Sequence, residues 1–152
     1  MDNKFQNLLD GLANQCQALL TMIPVMARNV PNNTPVGGVY LFSEDQAHLY
    51  AGRTKRKIAD RIRNHFSTKP DCPLAWLLAR ETTGRMATYT REGSRKELLA
   101  DNAFKAEYEN AKNRIRRMNV RYVHEADPVR QALLEIYVAV TTQAKYNDFD
   151  TH

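Results

Sequence analysis

Five side chains in this sequence are of the types that phosphodiester hydrolysis requires: Tyr40, Tyr50, Arg61, His65 and Glu135. That reaction needs a base to deprotonate water, a cation near the scissile phosphate, and stabilisation of the leaving oxygen. Glutamate can hold a hard divalent cation, because Mg2+ commonly takes only one or two carboxylates and keeps several waters. Arginine can fork two hydrogen bonds onto a phosphate. A tyrosine beside cations loses its proton more readily and can serve as the base. Histidine accepts or relays a proton near neutral pH. Taken singly, these types more often do something plainer. Strand tyrosines pack, and a glutamate on a surface helix is solvated. The chemistry therefore depends on whether the chain brings them together.

The patterning of the chain predicts how that could happen. Phe5, Leu8, Leu9, Leu12, Cys16, Leu19, Leu20 and Ile23 form one apolar stripe, predicting a single helix over about 4–23 that is ended by Pro24. Residues 28–38 are rich in turn and breaker types and read as a linker, giving an N-terminal helix and linker over 1–30 and a main domain over 31–152. Gly38-Val39-Tyr40-Leu41-Phe42 and His48-Leu49-Tyr50-Ala51 are β-rich runs, predicting a hairpin with a five-residue loop over 43–47. Pairing Phe42 with His48 sets Tyr40 directly opposite Tyr50, on one face of the sheet.

A helix is expected over about 57–66, burying Ile58, Ile62 and Phe66, with Arg61 and His65 one above the other at the border of that stripe. A short helix over 73–81 carries Leu74, Trp76, Leu77 and Leu78, and 86–91 is open between strand and loop. Ser94 and Glu97 have capping-box spacing and open a long charged helix to about 118. Residues 120–125 are a third strand candidate. Asp127 is a good N-cap and Pro128 suits the first turn of a last helix. That helix is expected to bury Val129, Ala132, Leu133, Ile136, Tyr137 and Val140, with Glu135 at the edge of the stripe.

The chain has 152 residues, enough for a core without disulfides or metals, and 26% charged residues, which is ordinary for a globular protein. No apolar run is long enough to span a bilayer. The N-terminus opens into an amphipathic pattern rather than a secretory signal. Cys16 and Cys72 have neither disulfide-framework nor zinc spacing. A cytoplasmic location with no membrane partner is expected.

The net charge of +5 is unevenly spread. Residues 53–69 hold seven basic side chains (Arg53, Lys55, Arg56, Lys57, Arg61, Arg63 and Lys69) against Asp60 alone. Residues 112–121 hold Lys112, Arg114, Arg116, Arg117 and Arg121 with no acid. Such polarity suits a polyanion, nucleic acid first. The stripe of Phe5, Leu8, Leu9 and Leu12 is expected to pack on the body. Packing on a partner instead would make the chain a homodimer or a subunit of a larger assembly.

Gly38-Val39-Tyr40, then nine residues, then Tyr50-Ala51-Gly52-Arg53-Thr54, resembles the signature of the GIY-YIG nucleases. Arg61 and His65 resemble that family's helical Arg and His. Ala132-Leu133-Leu134-Glu135 resembles its metal-binding glutamate helix, and Tyr146-Asn147 its closing Asn. The resemblance implies an α/β (α+β) fold, a small three-stranded antiparallel sheet flanked by helices, here with an inserted helical segment over 82–118. It implies an endonuclease that hydrolyses DNA with one Mg2+ (or Mn2+) on Glu135. Tyr40 would be the base assisted by His65, Tyr50 would place water or phosphate, Arg61 would bind phosphate charge, and Asn147 would fix local geometry. Arg53, Lys55, Arg56, Lys57, Arg63, Arg114, Arg116 and Arg117 would contact the nucleic-acid backbone. Ala51 stands where a larger aliphatic residue is usual. The gap from Tyr50 to Arg61 is about one residue longer than is common, so Arg63 is the alternative arginine; Arg61 is preferred for the face it shares with His65. The alternative function is a nucleic-acid-binding module on the same fold that does not cut.

Overall fold

The computed structural model describes residues 3–69, 72–84 and 95–149. The structure is of the α+β class, around a four-stranded antiparallel sheet of order β1-β4-β2-β3. The strands are β1 (Val25–Met26), β2 (Val36–Glu44), β3 (Ala47–Lys57) and β4 (Asn119–His124). The expected count of three strands is corrected by β1, which pairs Val25 with Val120 and Met26 with Asn119. Two residues are too few to show alternation, so this edge strand has no sequence signature.

The β2–β3 hairpin also departs from expectation. Its loop is a two-residue turn, with Glu44 paired to Ala47 and both Asp45 (φ 50°) and Gln46 (φ 71°) left-handed, as a tight hairpin turn of this hand requires. That turn alone would set Tyr40 opposite Ala51 and turn Tyr50 to the other face. A bulge at Leu49 intervenes: Ser43 pairs with His48, but Phe42 pairs with Tyr50 and Tyr40 with Gly52. One extra residue flips every later side chain of β3 to the other face. Tyr40 and Tyr50 therefore share a face, as diagonal neighbours rather than a directly opposed pair.

The chain divides into two compact units, residues 1–62 with 118–152, and residues 63–117. In the first unit the expected single N-terminal helix is two, α1 (Lys4–Leu9) and α2 (Leu12–Thr21), broken at Gly11, where φ is +83°. Leu12, Cys16 and Leu19 of α2 share one core with Val39, Leu41 and Ala51 of the sheet and Leu134, Val138 and Ala139 of α7 (Pro128–Thr142). The N-terminal segment is thus built into the main fold from Leu12 onward, while Phe5 and Leu9 stay exposed.

Helix α7 buries Gln131, Leu134, Val138 and Ala139, so the expected inner face is corrected: Val129, Ile136, Tyr137 and Val140 are exposed. Both faces of this helix carry apolar residues at helical spacing, and periodicity alone cannot choose between them. The opposite side of the sheet receives α3 (Ile58–Asn64), whose first turn is held by the supposed linker. Thr34 Oγ1 accepts from the Ala59 amide at 2.8 Å, and Pro35 O accepts from the Ile58 amide at 3.0 Å. A side chain at Gly38 would stand 2.2 Å from Val123 O and 2.8 Å from Ile58 Cδ1, so only glycine lets this helix and strand β4 approach so closely.

Arg130 ties the N-terminal helices to α7. It donates to Glu125 Oε1 (2.8 Å), Leu8 O (2.7 Å), Asp10 O (2.8 Å) and Gln15 Oε1 (2.5 Å). Burial pushes the Glu125 carboxyl up, but hydrogen bonds from Arg130, Gln15 and the Asp127 amide, with the Arg130 charge, hold it below its ordinary value. The unfolded chain therefore binds this proton more readily than the native one. The stabilisation is complete above pH 4.5, the carboxyl's ordinary value, and is lost as pH falls through the lower native value. Thermal melts between pH 7 and 3 should show this acid loss in the wild type and a shallower one in Glu125→Gln. Equal slopes would remove Glu125 from the account.

The second unit holds α4 (Pro73–Thr83), α5 (Arg95–Ala100) and α6 (Asn102–Arg116). Trp76 packs on Phe104 and Tyr108, with ring centroids at 4.9 and 5.5 Å. The single long helix expected here is divided at Asp101, whose carboxylate caps α6 by accepting from the Ala103 and Phe104 amides. The capping serine at 94 and the stretch 86–91 lie outside the described residues. Among the described residues no helix is long and apolar enough to cross a membrane.

Candidate active site

Four of the sequence-selected side chains belong to the first unit, each carried by a different element: Tyr40 from β2, Tyr50 from β3, Arg61 from α3 and Glu135 from α7; the last three act electrostatically on Tyr40. Tyr40 is buried and lies edge-on to Phe42, with centroids 5.8 Å apart and planes at 84°. Its ring passes over Gly52, where a Cβ would lie 2.4 Å from both Cζ and the hydroxyl oxygen. The glycine beside Tyr40 is therefore a space for that ring. The Tyr40 hydroxyl is hydrogen-bonded to Arg61 and lies within electrostatic reach of Tyr50 and Glu135.

These neighbours act on its proton in opposite directions. Burial pushes the phenol well above its usual range, and Tyr50 and Glu135 push the same way; the charge and hydrogen bond of Arg61 oppose them without prevailing. In the free protein Tyr40 is a neutral phenol poised against a guanidinium.

Glu135 is half-buried at the edge of α7. Desolvation raises its carboxyl above the ordinary value, and Arg53 pulls it down only in part. The ion pair between them is a single contact, Arg53 Nε to Glu135 Oε2 at 3.4 Å. Arg53 Nη1 also donates to Pro128 O at 3.4 Å.

Asn147 acts on the backbone. Strand β3 is the sheet edge, and Asn147 closes it at Ala51: its Oδ1 accepts from the Ala51 amide at 2.8 Å and its Nδ2 donates to Ala51 O at 2.9 Å. The amides of Lys145 and Tyr146 donate to His48 O and Leu49 O beside it. The side chain thus fixes the strand segment between Tyr50 and Gly52, where an unpaired edge would otherwise face solvent.

The remaining selected residues are placed differently. His65 lies one residue beyond the end of α3, not within it, and is a buried side chain of the second unit. Arg63 is a half-buried residue of that unit. Lys55 and Arg56 are exposed on the second half of β3, and Lys57 is half-buried. The later basic block is not one solvated face. Lys112 is buried, paired with Glu109 at 3.2 Å and set over the Tyr108 ring at 4.5 Å. Arg116 donates to Phe66 O at 2.9 Å and Arg121 to Met22 O at 3.1 Å. Arg114 is half-buried and Arg117 is exposed.

Three contributors escaped the sequence reading. Thr34, which holds the start of α3, sits among turn-forming residues with no pattern of its own. Gly52 stands inside the resembling motif, and a glycine inside a strand signals close approach. Tyr122 pairs directly with Tyr40 from β4 and shares its face, which becomes visible only once β4 is known to lie beside β2.

A divalent cation fits this donor set. Glu135 is a partly desolvated oxygen donor with one loose counter-ion, and a hard cation that keeps its waters needs little more. Among the described residues no group of three or more His, Cys, Asp and Glu side chains gathers at one place. No protein-family model, curated protein or solved structure matches this chain.

Proposed function

We propose that this chain is a divalent-cation-dependent endonuclease that hydrolyses DNA phosphodiester bonds, as its resemblance to the GIY-YIG nucleases implies. The observation that supports this best is the Tyr40 hydroxyl, bonded to Arg61 and flanked by Tyr50 and Glu135. A candidate base, a guanidinium and a carboxylate thus lie within electrostatic range of one hydroxyl. Glu135 would hold Mg2+ or Mn2+, which supplies charge stabilisation at the phosphate oxygens. After losing its own proton to solvent, Tyr40 as the phenolate takes the proton of the attacking water, and Arg61, already its hydrogen-bond partner, moves its remaining N–H groups to the phosphoryl oxygens. Tyr50 orients water or phosphate from the same sheet face. Asn147 keeps β3 in register beneath both. Lys55 and Arg56 offer sequence-independent contacts to flanking phosphates, so binding should weaken as salt rises.

The test is incubation with supercoiled, linear, branched and single-stranded DNA, with and without Mg2+ or Mn2+. Cleavage is expected only with the cation, and Glu135→Ala is expected to abolish it. Cleavage that survives Glu135→Ala in contaminant-free protein would sink the reading. Salt-sensitive binding with no cleavage of any substrate would replace it with a binding module.

A further inference from the structure

The first unit contains two arginine–glutamate pairs of opposite character. Arg130 makes four hydrogen bonds, to Glu125 at 2.8 Å and to Leu8 O, Asp10 O and Gln15. The contacts of Arg53 are Glu135 Oε2 and Pro128 O, both at 3.4 Å. Its guanidinium has five N–H donors, and the others have no partner among the described residues. Its side chain is 46% exposed, against 20% for Arg130. A single long contact on an accessible side chain is the weak, exchangeable form of this pair. A forked contact near 2.8 Å is the strong one. The weak form here sits on the carboxylate proposed to take a cation, and its free N–H groups match the geometry of a phosphate.

We propose that Arg53 is the resident counter-ion of Glu135, occupying the carboxylate in the free protein and releasing it to the divalent cation when a phosphodiester takes the guanidinium. This rests on the nuclease reading and adds to it a coupling between two ligands. Cation and guanidinium compete for one carboxylate, so the cation alone binds against the ion pair. A phosphodiester that draws Arg53 away removes that competitor. By linkage, each ligand then tightens the other by the same factor. The arrangement keeps the cation weakly held until a substrate is present, and Arg53 becomes a positioning residue for both.

Direct cation binding tests this without turnover. Mn2+ is titrated into the full chain and free Mn2+ is followed by electron paramagnetic resonance. Titrations are run with and without diethyl phosphate, a phosphodiester monoanion that is not cleaved on this timescale. Wild type, Arg53→Ala, Arg53→Gln and Glu135→Gln are compared, each checked for a native far-UV spectrum. Arg53→Gln keeps the length of the side chain should the alanine variant fold poorly. Both Arg53 variants are expected to bind Mn2+ about five-fold more tightly than wild type when no phosphodiester is present. Diethyl phosphate is expected to tighten the wild type by a further factor of about five beyond any tightening it gives in the Arg53 variants. Mn2+ binding that is lost in Glu135→Gln but no tighter in the Arg53 variants overturns the counter-ion role and leaves the nuclease reading standing. Mn2+ binding that Glu135→Gln does not change overturns both.

Discussion

Tyr40→Phe is expected to lower the proposed cation-dependent DNA cleavage by about a hundred- to ten-thousand-fold, the usual worth of a positioned proton-transfer group. The substitution keeps the ring that packs on Phe42 and passes over Gly52, and removes only the hydroxyl. Its structural cost is one hydrogen bond to a charged partner, Arg61, on the order of 1.5–3 kcal/mol. For a chain of this size that corresponds to roughly 3–12 °C in melting temperature, so the protein should remain folded under assay conditions. The pH profile carries the sharper distinction. Burial, Tyr50 and Glu135 hold the Tyr40 proton on against the pull of Arg61, so the phenol titrates above its usual range. The fraction present as base then rises with pH across the neutral and mildly alkaline range, about ten-fold per unit. Wild-type cleavage should climb accordingly, and the residual activity of Tyr40→Phe should lack that climb. A variant that kept both the rate and the slope would place the base elsewhere.

The sequence offers Tyr40, Tyr50, Arg61 and Glu135 in four separate elements, and in the fold Tyr50, Arg61 and Glu135 all act electrostatically on the Tyr40 hydroxyl. What the sequence concealed was how. A two-residue turn at Asp45-Gln46 would have sent Tyr50 to the wrong face, and the bulge at Leu49 restores it. Neither feature has a residue signature here: Asp-Gln is not a common pair for two left-handed residues, and Leu49 is an ordinary strand residue. The five-residue loop expected over 43–47 reached the correct face by the wrong route.

Helix α7 shows a second limit. Val129, Ile136, Tyr137 and Val140 form as good an apolar stripe as Leu134, Val138 and Ala139, and only the packing of α2 and the sheet decides which is inside. The buried Gln131 explains part of the difficulty, since a glutamine on the inner face looks like an outer residue until its amide is seen to donate to Glu125 O at 2.6 Å. Charge counting had the same weakness. Lys112 belongs to a basic run in the sequence but is buried against Tyr108 and Glu109, because a long aliphatic stem can pack while its ammonium finds a partner.

Gly52→Ala is expected to do two kinds of damage with one methyl group. A glycine-to-alanine change at a backbone position that alanine can adopt normally stabilises by about 0.4–1 kcal/mol, by narrowing the unfolded ensemble. Here the sign should reverse. The new Cβ would stand 2.4 Å from Tyr40 Cζ and its hydroxyl oxygen, and 2.8 Å from Cε2. Those atoms belong to a rigid ring that is 1% exposed, so it cannot swing clear as the end of a lysine could. Overpacking of this kind costs about 1–3 kcal/mol, or roughly 2–12 °C in melting temperature. Displacing the ring also moves its hydroxyl off Arg61, so cleavage should fall toward the level of Tyr40→Phe although no functional group has been removed. The cause can be isolated by repeating the substitution in a Tyr40→Leu background, where the ring is absent. There Gly52→Ala should cost little or become stabilising, and the non-additivity should exceed 1 kcal/mol, within the usual range for residues in contact. An equal penalty in both backgrounds would mean that Gly52 is required by the strand itself and not by the tyrosine that crosses it.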